Sequence, residues 1–353
     1  MRLVLERVAL LASSLAITAL FAEVSIRLLY PPAEFGSDRR LARRFHPNRV
    51  LRFESPYGEF ATELRYNSVG MRDREHARAK PPGMHRILVL GDSFAEAKQV
   101  TREAGFPARL EDLLSREGSK VEVINAGHAG FGAADEHLVL RNFGVDREPD
   151  VVIQAFFLND VSDDYWRVET LEWDEAGLPV RMLGFQSELV LFLRDRAVTL
   201  PFVRKDSPVA VDEIGVIGPD PFFLIRREGR GENEVHWQRT LKVIEGSARL
   251  SREIGAEFLL VIVPIGEQVD PTFRSKVAEA WALDPGTLSR DPQERLLRFG
   301  EETGIAVLDL MPVLEQHKDQ QLYFPYDGHW TPAAHDIAAR EIARFLRTRG
   351  WDG

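Results

Sequence analysis

From Arg86 onward the chain alternates short apolar runs with stretches of helical period. The apolar runs are Ile87–Leu90, Val121–Ile124, Val151–Phe157, Glu257–Val263 and Ile305–Leu310. Continuous apolar runs this short, bounded by Gly, Pro, Asn and Asp, suit strands buried on both faces. The stretches between them carry the other period. Pro107–Glu117 sets Leu110, Leu113 and Leu114 on one helical face, and Ala133–Asn142, Trp237–Glu253 and Pro292–Glu302 follow as further helices. A last helix opens with Thr331 as the expected N-cap and Pro332 at the first helical position. Its apolar face is Ala334, Ala338, Ile342, Phe345 and Leu346.

This alternation predicts an α/β fold in which helices cover both faces of a parallel sheet. Right-handed crossovers restrict the topology to few arrangements. The expectation is a three-layer α/β/α domain over residues 85–353, with a five-stranded parallel sheet in flavodoxin-like order. Residues 161–235 break the pattern. They set Trp166, Trp173, Phe185, Phe192, Phe202, Phe222 and Phe223 among Gly, Pro and charged residues, and read as an insertion over the active edge of the sheet. Residues 31–84 are polar, Arg-rich and weakly periodic, with a short strand at Thr62–Tyr66 and a turn at Asn67–Gly70. Residues 1–30 differ again: Val8–Ala22 is apolar, Arg2 and Arg7 precede it, and Pro31-Pro32 ends its continuation. This segment is expected to be a membrane anchor or signal segment, which puts residues 31–84 beside the membrane and the body outside the cytoplasm.

Composition then removes several classes of function. The net charge of −10 supplies no broad basic surface for nucleic acid. With no cysteine, disulfides, thiolate zinc sites and cysteine nucleophiles are all excluded. Asp327, His329 and His335 lack a convincing fourth partner for a metal, so none is expected.

In open α/β sheets, ligands bind beyond the carboxyl ends of the strands. Four polar blocks fall there: Gly91-Asp92-Ser93, Asn125 through Gly130, Asn159-Asp160, and Asp327-Gly328-His329-Trp330. Each alone has an ordinary reading as a cap, a turn or a surface residue. Together they supply the parts of an acyl-transfer site. Ser93 is a nucleophile that needs a base, His329 is that base, and Asp327 lies two residues earlier to orient the imidazole. The backbone N–H groups of Ser93 and Gly130 and the side-chain amide of Asn159 can receive an oxyanion, with Gly127 as the alternative glycine. His128 is expected to be a loop or substrate-contacting residue and His335 a structural one. Asp92 and Asp160 are expected to brace loops. Arg72 is expected at the solvated surface, with contact to a substrate anion as the alternative.

These four blocks, in this order, resemble those of the SGNH (GDSL-type) hydrolase superfamily, over about three quarters of the chain. The resemblance implies a Ser–His–Asp esterase or acyltransferase on a flavodoxin-like sheet, without metal or cofactor. It departs from the usual pattern in three places. Ala97 stands where a glycine often follows the serine by four residues, and Phe157 where a glycine precedes the oxyanion asparagine by two. The last block is Asp-x-His where secreted members usually show Asp-x-x-His, a shorter spacing similar to membrane-associated proteins that O-acetylate exopolysaccharides, although in those the serine follows the Asp-His pair and here Ser93 precedes it. The expected substrate is an acylated carbohydrate or small ester, attacked by an esterase. The alternatives are an O-acyltransferase with the same triad and a non-enzymatic glycan-binding scaffold.

Overall fold

The computed structural model describes residues 2–29, 47–115, 120–161, 171–182, 234–280 and 290–353. Five strands form the central sheet: β3 (His85–Gly91), β4 (Val121–Asn125), β5 (Val151–Phe156), β8 (Glu257–Ile262) and β9 (Ala306–Asp309). All pair in parallel, in the spatial order β4-β3-β5-β8-β9. Counted along the chain this is 2-1-3-4-5, the flavodoxin-like order. Two antiparallel pairs lie outside this sheet: β1 (Val50–Glu54) with β2 (Ala61–Arg65), and β6 (Leu171–Trp173) with β7 (Pro179–Met182).

Strand alternation divides the core into two layers, because successive side chains point to opposite faces. From β3, Leu88 and Leu90 enter one cluster while Ile87 and Val89 enter the other. The first cluster is closed by α4 (Ala133–Val139), α5 (Glu234–Glu253) and α6 (Asp291–Thr303), through Leu138, Trp237, Ile244, Leu296 and Phe299. The second is closed by α3 (Phe106–Ser115) and α7 (Pro332–Arg349), through Phe106, Leu110, Leu114, Ala338, Ile342 and Leu346. One further helix on this path, α2 (Ser93–Glu96), is a single turn at the end of β3. The chain also begins with a helix, α1 (Arg2–Leu29).

Three local expectations change. The helix predicted to reach Asn142 is α-helical only to Val139, and a π turn over Leu140–Gly144 follows. There the backbone closes on the sheet, since a Cβ on Gly144 would sit 2.6 Å from Leu88 Cδ2. Thr331 holds the N-cap backbone position, but its hydroxyl donates to the Gln321 carbonyl at 2.6 Å and does not cap the helix. Arg72 is neither at the surface nor aimed at a substrate. It is buried, and its guanidinium donates to the carbonyls of Glu96 at 2.7 Å, Val100 at 2.5 Å and Ala97.

Of the insertion, Trp173 is described and packs against the first core cluster. Trp166, Phe185, Phe192, Phe202, Phe222 and Phe223 lie outside the described residues. On α1, Leu10, Leu11, Leu15, Ile17, Leu20 and Phe21 are exposed. No helix among the described residues is long and apolar enough to cross a membrane.

Candidate active site

β3 ends at Gly91, and the chain turns at once into α2. Asp92 caps that helix: its Oδ1 accepts the Phe94 N–H at 2.9 Å. The capping role therefore falls to Asp92, and the Ser93 hydroxyl is available for another partner. That partner is His329. Ser93 Oγ–H donates to His329 Nε2 at 2.8 Å, and His329 Nδ1–H donates to Asp327 Oδ1 at 2.7 Å. The second contact available to Ser93 Oγ, Asp92 Oδ2, is longer at 3.3 Å.

The loop that carries the histidine is built for this spacing. Phe324 N–H donates to the His329 carbonyl and Gly328 N–H to the Phe324 carbonyl, both at 2.9 Å. Gly328 takes φ +79°, a left-handed conformation that glycine adopts without strain. The resulting tight turn brings residues two apart onto one side, so Asp327 reaches Nδ1 of His329. Trp330, 1% exposed, anchors the loop in the core against Phe94, Phe106 and His335. Phe94 also packs on the imidazole of His329, with ring centroids 4.9 Å apart.

Electrostatics follow from this geometry. Burial alone would depress the basicity of His329, but the hydrogen bond and negative charge of Asp327 overcome it and raise the pKa above the ordinary imidazole value. Burial would raise the Asp327 carboxyl, and the His329 hydrogen bond outweighs it and holds that carboxyl below the usual range. Asp92 moves the other way. Burial pushes it up to about 6, against the opposing hydrogen bond from Phe94 N–H.

The second block approaches the same turn. Asn125 Nδ2 donates to the Ala95 carbonyl at 2.8 Å, and Asn125 Oδ1 accepts the Gly127 N–H at 3.0 Å. Gly127 must be glycine, because a Cβ there would meet Ala95 Cβ at 2.4 Å and the backbone of Ala95 and Glu96 at 3.0 Å. Its N–H is committed to Asn125, and Gly130 further along the block takes φ +73°. Asp160 Oδ2 accepts the Phe157 N–H at 3.2 Å and closes the turn that carries Asn159. His128 stacks on Phe131, with centroids 5.0 Å apart, and His335 is buried with its Nδ1 accepting the Phe106 N–H at 3.3 Å.

Sequence reading overlooked several neighbours. Gln99 Nε2–H donates to Asp327 Oδ2 at 3.4 Å. Glu96, buried at the end of the Ser93 turn, accepts from Tyr66 O–H at 2.7 Å and from Ala129 N–H at 2.6 Å. Glu59 accepts the backbone N–H groups of Tyr326 at 2.9 Å and Asp327 at 3.1 Å. None of these contacts leaves a periodic mark in the sequence. One signal was present: Ala97, where the family often has glycine, takes φ +56°, and its methyl group packs with Val100 and Phe324. No group of three His, Asp or Glu side chains able to hold a metal occurs among the described residues.

The sheet order, the serine at the end of its first strand and the histidine–aspartate loop before its last helix are consistent with the SGNH hydrolase fold. Residues 218–352 match the family model described as SGNH hydrolase-like domain, acetyltransferase AlgX. No curated protein matches the sequence. Among solved structures, a catalytic mutant of Axe2, an acetylxylan esterase from Geobacillus stearothermophilus, is 15% identical, with 74% of this chain and 93% of that chain covered and a TM-score of 0.42. The acetyl xylan esterase AlAXEase is 13% identical, with 74% and 99% covered and a TM-score of 0.40. LAE5, an alpha/beta hydrolase enzyme from the metagenome of Lake Arreo, Spain, is 15% identical, with 76% and 96% covered and a TM-score of 0.42.

Proposed function

We propose that this protein is a serine esterase that removes O-acyl groups, most simply O-acetyl, from a carbohydrate or cell-envelope polymer. The observation that carries the reading is the hydrogen-bonded series Ser93–His329–Asp327 at the carboxyl end of the sheet. In the first step Ser93 Oγ attacks the acyl carbonyl carbon and its proton passes to His329 Nε2. Asp327 stabilises the imidazolium and keeps the remaining proton on Nδ1. The negative charge gathers on the carbonyl oxygen, for which Ser93 N–H, Gly130 N–H and the Asn159 amide are the proposed donors. Collapse of this intermediate breaks the ester C–O bond, and the leaving alcohol takes the proton from His329. The acyl-Ser93 ester is then attacked by water, with His329 again as base, to release the acid.

The test is covalent labelling. A fluorophosphonate probe should phosphonylate Ser93, and Ser93→Ala should abolish both labelling and ester hydrolysis. A wild-type protein that is neither labelled nor active on acetyl esters would refute the reading. The match to a family model named for an acetyltransferase favours a second reading, in which a sugar hydroxyl takes the place of water. Incubation with a donor ester and an oligosaccharide separates the two: an acceptor that gains acyl mass indicates transfer, and free acid alone indicates hydrolysis.

We also place the catalytic body on the outer side of a membrane, tethered through residues 1–30. The apolar run Val8–Ala22 behind Arg2 and Arg7, and the exposed apolar side chains on α1, support this placement. Membrane fractionation with protease protection tests it, and a protein found wholly in the cytosolic fraction would overturn it.

A further inference from the structure

The hairpin β1–β2 precedes the sheet in sequence, yet it touches both arms of the proposed site. On the nucleophile side, Thr62 Oγ1–H donates to the Lys98 carbonyl at 2.6 Å. Just beyond the hairpin, Tyr66 O–H donates to Glu96 at 2.7 Å, and Glu96 in turn accepts the Ala129 N–H next to Gly130. On the base side, the two oxygens of Glu59 accept the consecutive backbone N–H groups of Tyr326 and Asp327. Tyr57 stacks on Tyr326, with centroids 4.6 Å apart and planes inclined by 21°. Beneath these contacts Phe60 meets Phe324 edge to face at 5.1 Å, within a small separate core that includes Ala97 and Val100. One hairpin thus shares a core and hydrogen bonds with the turn after Ser93 and with the loop that carries Asp327 and His329.

We propose that Glu59 is a positioning residue for the base arm, and that the β1–β2 hairpin is a clasp that holds His329 against Ser93. This inference rests on the catalytic reading above. The loop Phe324–His329 is closed by its own backbone at Phe324, Gly328 and His329. The N–H groups of Tyr326 and Asp327 point out of that turn, and Glu59 takes both. The hairpin tip sets the carboxylate for this task. Gly58, at φ +74°, closes the tip with its N–H on the Ser55 carbonyl, and Ser55 Oγ–H reaches Glu59 Oε2 at 3.3 Å. A carboxylate serves two donors with two acceptor oxygens, whereas an amide has only one acceptor oxygen. Glu59→Gln therefore keeps one of the two contacts and Glu59→Ala keeps neither.

The test compares both variants with the wild type in full-length protein. The measurements are kcat and KM on an acetyl ester, the rate of fluorophosphonate labelling at Ser93, and the low-field proton resonance of the His329 Nδ1–H···Asp327 hydrogen bond. In Glu59→Ala, kcat and the labelling rate should fall about 10- to 100-fold with KM little changed, as a small misplacement of reacting groups does. The low-field resonance should shift or broaden, and Glu59→Gln should lie between the two. If Glu59→Ala does not fold, the isosteric Glu59→Gln decides alone. Wild-type kcat and an unchanged resonance in a folded variant would overturn the clasp. A wild type with neither labelling nor hydrolysis overturns the catalytic reading, and the resonance then judges the clasp by itself.

Discussion

Asp327→Asn changes the counter-charge of the proposed base while leaving the size of the side chain almost unaltered. In the structure, Asp327 Oδ1 faces two donors on His329, Nδ1–H at 2.7 Å and the backbone N–H at 3.3 Å, while Oδ2 faces Gln99 Nε2–H. An amide can meet this in two ways. With its oxygen in the Oδ1 position, the bond to Nδ1–H survives without its charge. With its NH2 there, the amide opposes the backbone N–H and forces the imidazole to present the Nδ1 lone pair. The ring proton then sits on Nε2, against Ser93 O–H, and the base is in the wrong tautomer. In both cases the partly buried imidazolium loses its charged partner, for which about 3–5 kcal/mol, the loss for fully buried pairs, is the upper range. At about 1.36 kcal/mol per decade, kcat should fall about 10²- to 10⁴-fold. The pH profile adds a second reading. His329 must be unprotonated to act, so the rate rises with pH through its pKa. Asp327 is the main influence holding that pKa above the ordinary value, against burial. The wild-type limb should therefore lie above about pH 6.5, and the variant limb should move to lower pH. Initial rates of p-nitrophenyl acetate hydrolysis between pH 5 and pH 9 measure both effects. A fall of less than tenfold, or a limb that moves to higher pH, would refute the reasoning.

Two other substitutions separate packing from chemistry. Gly127→Ala should lower kcat and thermal stability together, because the new methyl presses on Ala95 and the backbone of the Ser93 turn; wild-type kinetics together with a crystal structure showing an unmoved turn would contradict this. Arg86→Leu should cost about 3–5 kcal/mol in urea unfolding. The Arg86 side chain is buried at the start of β3, paired with Glu122 at 2.7 Å and donating to the carbonyls of Arg147, Ala77 and Arg78. Since Ser93 lies beyond the other end of that strand, kcat per folded molecule should be unchanged, and an unaltered urea midpoint would show the network to be without weight.

The five sheet strands and their order were legible because burial on both faces writes itself as apolar runs of fixed length. The polar blocks at the strand ends were legible because ligands gather there in such sheets. What escaped was held by contacts between distant, aperiodic residues. Glu59 is an exposed-looking acid in a polar stretch, and its partners Tyr326 and Asp327 are 267 and 268 residues away. Arg72 looked like a surface cation because nothing near it in sequence announces three carbonyl acceptors around the turn after Ser93. Thr331 had the right type and place for a cap, and a competing carbonyl at Gln321 took its hydroxyl. Side chain to backbone bonds of this kind depend on tertiary position, which local pattern does not encode.

The Ser93–His329 hydrogen bond spans 236 positions of the chain. Contacts of such separation form late, after the shorter loops have closed. During synthesis, β3, β4 and β5 can pair while residue 329 is still inside the ribosome, so a serine already seated at its strand end has no base to activate it. Under the proposed triad, catalytic competence would arrive only when α7, which packs against α3 in the structure, brings the Asp327–His329 loop to Ser93. Onset of probe labelling during refolding would serve as a clock for that event, reporting completion of the whole domain from one atom.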